Sequence, residues 1–370
     1  MKRADVRKYL AAALLGVAVH WLILYLGFAA DRLANGQELS GFFAALYDRV
    51  AQAGDVPHYV EIALHGYQSA GETANNIVFF PLYPLLMRGM CALVPDAVTA
   101  GMIVSNLCLG LASAAVYALL EAELGARRAA RGLALLSLMP FGFFMAGAYT
   151  ESLFIALTAF CLLAISKRRW LWAGAAGFLA ALTRAQGVAL LVPMVYEICL
   201  DIRENKKTPR MLAALLIPAG TGIYLILNAA VCGSPTAFLR YQAAAPWYNT
   251  SRWISENLAQ HFSLAMEYPG LGVFIYWPQI LLYFAGLALL FAGLKKGLRP
   301  SFNALGGAYM LMTYLHGWMI SGPRYMLGCV PAYLCLAALG KEDDAALAVL
   351  PLGALSVLVA MWYLQGQAIM

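Results

Sequence analysis

Of the 370 residues, 62% are hydrophobic and only 12% are charged, with a mean hydropathy of +0.70; since a soluble domain is about half apolar, this excludes an ordinary soluble globular protein. The formal net charge of +6 comes from basic residues gathered in short segments between apolar runs, a pattern that speaks for membrane orientation and gives no sign of a nucleic-acid partner. The seven cysteines form no CxxC pair and have no histidine at zinc spacing, so they read as small buried hydrophobes.

Apolar runs of about 18 residues or more read as spanning helices, because backbone polar groups inside lipid must be satisfied within the segment. Such runs, with some shorter ones, fall at 10–30, 97–120, 130–148, 150–166, 170–184, 186–200, 210–231, 271–294, 302–320, 323–340 and 345–365. They predict an all-α, polytopic integral membrane protein of about eleven transmembrane helices. The first run carries His20, Trp21 and Tyr25 without a small-residue cleavage site, so it reads as a retained anchor with the mature chain starting at Met1. Basic clusters at 2–8, 127–131, 167–169, 203–210 and 295–299, together with Lys341, contain every lysine. Kept in the cytoplasm, they predict an inside N-terminus and an outside C-terminus. The chain reads as one domain, 1–370, with two long outer segments at 31–96 and 232–270.

In the first outer segment Phe42, Phe43, Leu46, Tyr47 and Val50 recur at helical spacing, which predicts a helix lying in the membrane interface. Gly54 breaks it, and Pro57 starts a second short helix carrying Tyr59, Ile62 and Ala63. The apolar stretch Val78–Leu93 is short and interrupted by Pro81 and Pro84, so it reads as an interfacial or re-entrant piece. Counted as a span, it would invert every later loop and place Arg127, Arg128 and the Lys167–Arg169 run outside. The pair 170–184 and 186–200 is also short and hinged near Arg184; no internal repeat is evident.

Candidate chemistry gathers at the outer segments. Asp55, just before Val56-Pro57, suits either deprotonation of a hydroxyl or capping of the helix that begins there. His58 and His65 lie near enough to orient that acid or bind phosphate, and Glu61 is a second-choice acid. Tyr83 can present a hydroxyl at the interface. Thr150 and Glu151 suit a helix start, with Glu151 alternatively facing a sugar or acceptor. Arg184 stands between two apolar half-helices, where an unpaired charge costs roughly 2.5–3.5 kcal/mol on insertion scales. Arg324, followed by Tyr325, opens the tenth predicted span, and an arginine beside a helix N-terminus suits an anion. The second outer segment holds Arg240, Tyr241, Trp247, Tyr248, Arg252 and Trp253, fit for carbohydrate stacking or interfacial anchoring.

Several of these strings resemble the PIG-V type mannosyltransferases, the GPI mannosyltransferase II-like branch of the GT-C membrane glycosyltransferases, in a bacterial version. Asp55, Tyr59, Ile62, Ala63, Gly66 and Tyr67 match the pattern of that family's first outer loop, with Gly54 and His58 where tryptophans are expected. Phe79-Phe-Pro-Leu-Tyr-Pro84 resembles its Phe-Phe-Pro-Leu-Tyr-Pro block, and Tyr149-Thr-Glu151, Leu182-Thr-Arg184 and Arg324-Tyr325 resemble later ones. The resemblance implies a GT-C fold that transfers a hexose, mannose first, from a polyprenyl- or dolichyl-phosphate donor to a hydroxyl of a glycan or glycolipid acceptor, with inversion. Asp55 would be the general base; His58, Tyr59, Tyr83, Glu151, Arg184, Arg324 and Tyr325 would bind substrate. The site would face outside a bacterial plasma membrane, or the lumen of the endoplasmic reticulum in a eukaryote. Some GT-C enzymes use a divalent metal, but no acid pair in this sequence places one. Two rival readings are a transporter or lipid flippase, which fits Arg184 and the broken helices, and a non-catalytic scaffold subunit of a glycan-assembly complex.

Overall fold

The computed structural model describes residues 3–205, 209–317, 321–339 and 345–367; Lys2, Lys206, Lys207 and Lys341 of the basic clusters lie outside the described residues. These residues form helices and, among them, no strand element. In chain order they are α1 (Arg3–Ala34), α2 (Phe42–Gln52), α3 (Val56–His65), α4 (Leu82–Cys91), α5 (Ala97–Leu124), α6 (Ala126–Ser137), α7 (Glu151–Ser166), α8 (Trp170–Ala181) and α9 (Leu191–Asn205). There follow α10 (Leu216–Cys232), α11 (Ala237–Ala243), α12 (Ile254–Glu267), α13 (Pro269–Leu271), α14 (Trp277–Lys295), α15 (Pro300–Tyr314), α16 (Gly322–Leu327), α17 (Val330–Leu339) and α18 (Ala345–Leu364). Among the described residues, five segments are long and apolar enough to cross a membrane: Asp5–Ala34, Ala97–Leu124, Ala185–Glu204, Leu212–Cys232 and Pro269–Lys295.

The core forms around α5 and α7. Helix α5 packs on α1, α4, α6 and α7, and α7 packs further on α8. Ala100, Leu109, Ala112, Val116 and Leu119 on α5 are completely buried, as are Ile155, Ala159, Cys161 and Leu162 on α7. A helix apolar on every side can satisfy itself only by full enclosure, and α7 is enclosed. Small side chains on α5 let the neighbouring backbones approach closely.

The two short helices predicted in the segment 31–96 exist as α2 and α3, joined through Gly54 in the left-handed region at φ 52, a conformation that costs glycine no Cβ clash. On α2, Phe42, Leu46 and Val50 face inward while Phe43 remains 72% exposed. The Val78–Leu93 stretch contributes the ten-residue α4 behind a 3₁₀ segment, Glu72–Val78. The hinge at Arg184 is also present: α8 stops at Ala181, Arg184 is extended, and a 3₁₀ turn, Ala185–Leu190, leads into α9. Gly187 permits this hinge, because a Cβ there would fall 2.4 Å from the Ala180 carbonyl carbon.

Three predicted spans take a different form. The run 130–148 is not one helix: α6 ends at Ser137, Phe141 adopts φ 68, and a 3₁₀ turn covers Gly142–Met145. Pro140 accounts for the break, since it disfavours helical backbone at Met139. The run 302–320 is helical only to Tyr314, with 318–320 outside the described residues. The run 323–340 divides into α16 and α17 at Gly328-Cys329, ahead of Pro331. His316 and Ser321, on either side of the second break, line a cavity described below.

The basic clusters gather at one end of the bundle. Lys8 meets Glu121 at 2.7 Å, Arg299 meets Glu123 at 2.8 Å and Glu197 at 3.4 Å, and Arg168 meets Asp201 at 2.8 Å and Glu204 at 2.7 Å. The end of α18 lies by the opposite end of α1, where Gln365 donates to Asp31 at 2.8 Å and Arg49 donates to the Tyr363 carbonyl at 2.6 Å. The start of α1 and the end of α18 therefore sit at opposite ends of the bundle.

Candidate functional site

At the end away from the basic clusters, a cavity of about 190 Å³ opens between α3 with the 78–80 stretch, the Arg184 hinge, the end of α11 with the segment after it, and α16. Asp55, Tyr59, Arg184, Arg324 and Tyr325 all line it. Residues far apart in the chain converge here: Thr150 before α7, residues 183–186 at the hinge, and His316, Ser321, Arg324 and Tyr325 late in the chain.

Four charges form one chain of contacts. Asp55 Oδ2 lies 2.6 Å from Arg324 Nη2. Arg324 Nε donates to Glu151 Oε1, which also accepts from Arg184 Nη1 at 3.1 Å. Two carboxylates thus match two guanidiniums. The Glu151 side chain is completely buried and those of Arg324 and Arg184 are 4% and 8% exposed, whereas that of Asp55 is 25% exposed. Glu151 Oε2 has no hydrogen-bond partner. Aromatic faces complete the bed: Arg324 lies over Tyr149 at 4.6 Å and Phe144 at 5.5 Å, and Arg184 over Tyr325 at 5.0 Å, contacts that stabilise a desolvated cation. Phe144 and Tyr149 belong to the stretch where the third predicted span fails to continue as helix. That failure supplies the floor beneath Arg324.

Asp55 occupies the N-cap position of α3 but makes no side-chain capping bond. Pro57 removes one of the two N–H groups a capping carboxylate ordinarily reaches, and a guanidinium is the stronger donor. Thr150 likewise precedes α7 without a capping bond, and Glu151 points at two arginines instead of serving its helix end from solvent. Arg324 does not stand as an open anion site at the start of a long helix: α16 has six residues, and the guanidinium is engaged by Asp55 and Glu151. The acid that Arg184 meets is Glu151, at 3.1 Å.

Of the remaining sequence candidates, Tyr59 reaches the cavity wall and Tyr83 does not. Burial, then the nearby Asp55 carboxylate, holds the Tyr59 phenol above its ordinary pKa, so it remains a neutral donor. Tyr83 is completely buried, and its hydroxyl contacts the Gly101 carbonyl at 3.0 Å and Ser105 Oγ at 2.8 Å. It fastens α4 to α5. His58 lies just behind the lining: Nδ1 is 2.8 Å from Asn76 Oδ1, and the ring stacks on Phe79 at 5.1 Å and meets Trp247 at 5.0 Å. His65 and Glu61 form an exposed 3.9 Å pair.

Gln242 at the end of α11, with Trp247 and Asn249 just after it, lines the cavity together with Phe79 and Phe80. The other aromatics of that outer segment point elsewhere; Trp253 is 74% exposed and Tyr248 63%. Thr183, Gln186, His316 and Ser321 also line the cavity, and sequence reasoning did not single them out. Thr183 and Gln186 flank Arg184 and were discoverable from that adjacency, whereas nothing around His316 announces its position. Among the described residues no group of three or more His, Cys, Asp or Glu is arranged to hold a metal.

The chain matches no protein-family model and no curated protein sequence; the resemblance to the PIG-V type enzymes rests on the motif residues, four of which, Asp55, Glu151, Arg184 and Arg324, make up the charged chain.

Proposed function

We propose that the protein is a membrane glycosyltransferase of the GT-C class that moves a hexose from a polyprenyl-phosphate donor to a hydroxyl acceptor. The observation that carries this reading is the double character of α16. Arg324 and Tyr325 face the charged cavity, while Pro323, Met326 and Leu327 of the same six residues line an apolar cleft of about 530 Å³. Phe274, Leu282, Val359 and Trp362 supply other parts of that cleft. A donor with an anionic head and a hydrocarbon tail matches both compartments.

In the proposed reaction the acceptor oxygen attacks the anomeric carbon while its proton passes to Asp55. The bond from that carbon to the phosphate oxygen breaks with its electron pair on the phosphate, and configuration inverts. Arg324, with Arg184 behind it, stabilises the charge that develops there. Trp247, Phe79 and Phe80 offer apolar faces to sugar rings, and Gln186 and Gln242 offer hydroxyl partners. The spanning-length helices, and basic clusters held at the end away from the cavity, support a membrane setting with the cavity on the non-cytoplasmic side.

Purified protein incubated with a panel of polyprenyl-phosphate sugars and nucleotide sugars tests the reading. Transfer from a lipid-linked sugar alone is expected; turnover of free nucleotide sugars, or of no donor at all, overturns it, the latter in favour of a transporter or scaffold. Sidedness is tested separately in a Cys199→Ser background: Ser69→Cys and Ser255→Cys should react with an impermeant thiol reagent in intact cells, and Arg203→Cys should not. Labelling at Arg203→Cys alone would place the cavity in the cytoplasm.

A further inference from the structure

We propose that Arg324 is shared in turn by Asp55 and the donor phosphate, so that binding of the lipid phosphate itself releases the base; this rests on the glycosyltransferase reading above. In the described arrangement the carboxylate oxygen that would take the acceptor's proton faces a guanidinium 2.6 Å away, and the guanidinium that would meet the phosphate faces a carboxylate. Each group occupies the other's working position. The chain of contacts shows which bond yields. Asp55 and Arg324 both line the cavity, but Glu151 does not. Asp55 is 25% exposed, whereas Glu151 is completely enclosed and bound to both arginines.

An entering phosphate therefore reaches Arg324 from the side on which Asp55 stands. Glu151 acts as a positioning residue, holding Nε while Nη2 changes partner. No uncompensated buried charge forms at any stage, because the phosphate takes the place of the departing carboxylate beside the guanidinium. Asp55 has room to leave, since it makes no capping bond to α3 and its side chain already borders the cavity. The consequence is an ordered reaction: the acceptor meets a free carboxylate only after the donor has bound. An acceptor arriving first finds Asp55 occupied by Arg324.

Competition for one partner is reciprocal, so removing the carboxylate must favour the phosphate. Binding of undecaprenyl phosphate to detergent-solubilised protein is compared for wild type, Asp55→Asn and Glu61→Gln. Asp55→Asn should bind about tenfold more tightly, despite losing transfer, and Glu61→Gln, lacking only an exposed acid nearby, should match wild type. Equal affinity of Asp55→Asn and wild type, or an equal gain in Glu61→Gln, overturns the exchange while leaving the transferase reading in place. Undetectable binding by all three proteins overturns both. A second measurement needs no variant: radiolabelled polyprenyl-phosphate mannose bound first and then chased with excess unlabelled donor plus acceptor should be carried into product. Labelled acceptor bound first should instead be diluted away. Equal trapping of both substrates overturns the order.

Discussion

At the end of the bundle where α1 begins, Lys8, Arg168 and Arg299 meet acids from α5 and α9; at the other end, Arg184 and Arg324 meet Glu151 and Asp55. The two sets contain similar chemical pairs in dissimilar surroundings. Arg168 and Glu204 are 52% and 59% exposed, while Arg324 and Glu151 are 4% and 0% exposed. An exposed pair such as Arg168–Glu204 contributes about 0–1 kcal/mol, and water compensates either partner when the other is lost. Buried ion pairs rarely repay the desolvation of their charges against well-packed apolar residues, so stability alone does not explain the second set. The first set ties helix ends together at low cost. The second holds charge ready where a ligand can enter.

The largest expected effect breaks that contrast at its catalytic member. Asp55→Asn should lower sugar transfer by about 10²–10⁴-fold, the usual contribution of a general base, with expression and melting temperature close to wild type because the side chain is the one solvent-reached carboxylate of the cluster. Rates measured with a lipid-linked donor check it. A variant within a few-fold of wild type would remove Asp55 from the base role.

Glu151→Ala and Glu204→Ala sharpen the contrast as a stability measurement. Loss of Glu151 removes the carboxylate that both buried guanidiniums share and leaves Asp55 to Arg324, so it should cost about 3–5 kcal/mol. Loss of Glu204 should cost about 0–1 kcal/mol, because Arg168 keeps Asp201 and is open to solvent. Chemical denaturation in detergent micelles compares them. Equal destabilisation would mean that the two ends differ in geometry but not in energetic character.

The charged chain was only half legible in the sequence. Asp55, Glu151, Arg184 and Arg324 stood out individually, because a charge in apolar surroundings carries a cost that local propensity does not explain. Their partnership did not, since Glu151 and Arg324 are 173 positions apart and a first-turn acid looks the same whether it serves its helix or a distant arginine. Helix existence followed from apolar run length, and the hinge at Arg184 from the shortness of its two flanking runs. The breaks after Ser137 and Tyr314 were harder to see, because hydropathy continues through them while the backbone does not. Trp247 was visible only as one aromatic among several: anchoring and cavity-lining side chains have the same composition, and tertiary contact separates them.

A smaller effect concerns that tryptophan. Trp247→Ala removes a ring that packs on Phe79 at 5.4 Å and His58 at 5.0 Å. Aromatic contacts of this kind are worth about 0.5–1.5 kcal/mol, so the acceptor KM should rise by about 2–13-fold with kcat little changed. Trp247→Phe should recover most of the loss. A fall in kcat at constant KM would instead assign the ring to orienting the reacting groups. Trp253→Ala is the matched comparison, since that ring lies outside the cavity, and its kinetics should equal those of wild type.

A last comparison separates two tyrosines of the segment 31–96. Tyr59 and Tyr83 meet edge to face at 5.2 Å, yet only Tyr59 lines the cavity. The Tyr83 hydroxyl is fully engaged within the helices, by Gly101 and Ser105. Tyr83→Phe deletes that hydroxyl and leaves the ring in place, so it should cost about 1–3 kcal/mol through the partners left behind and should not change KM for either substrate. Tyr59→Phe should do the reverse, with stability near wild type and a raised KM, because Tyr59 lines the cavity together with Asp55. Thermal melts and steady-state kinetics on the two variants decide the matter. A KM effect in Tyr83→Phe without a stability loss would mean that the hydroxyl reaches substrate after all, and that the first outer segment rearranges when the donor binds.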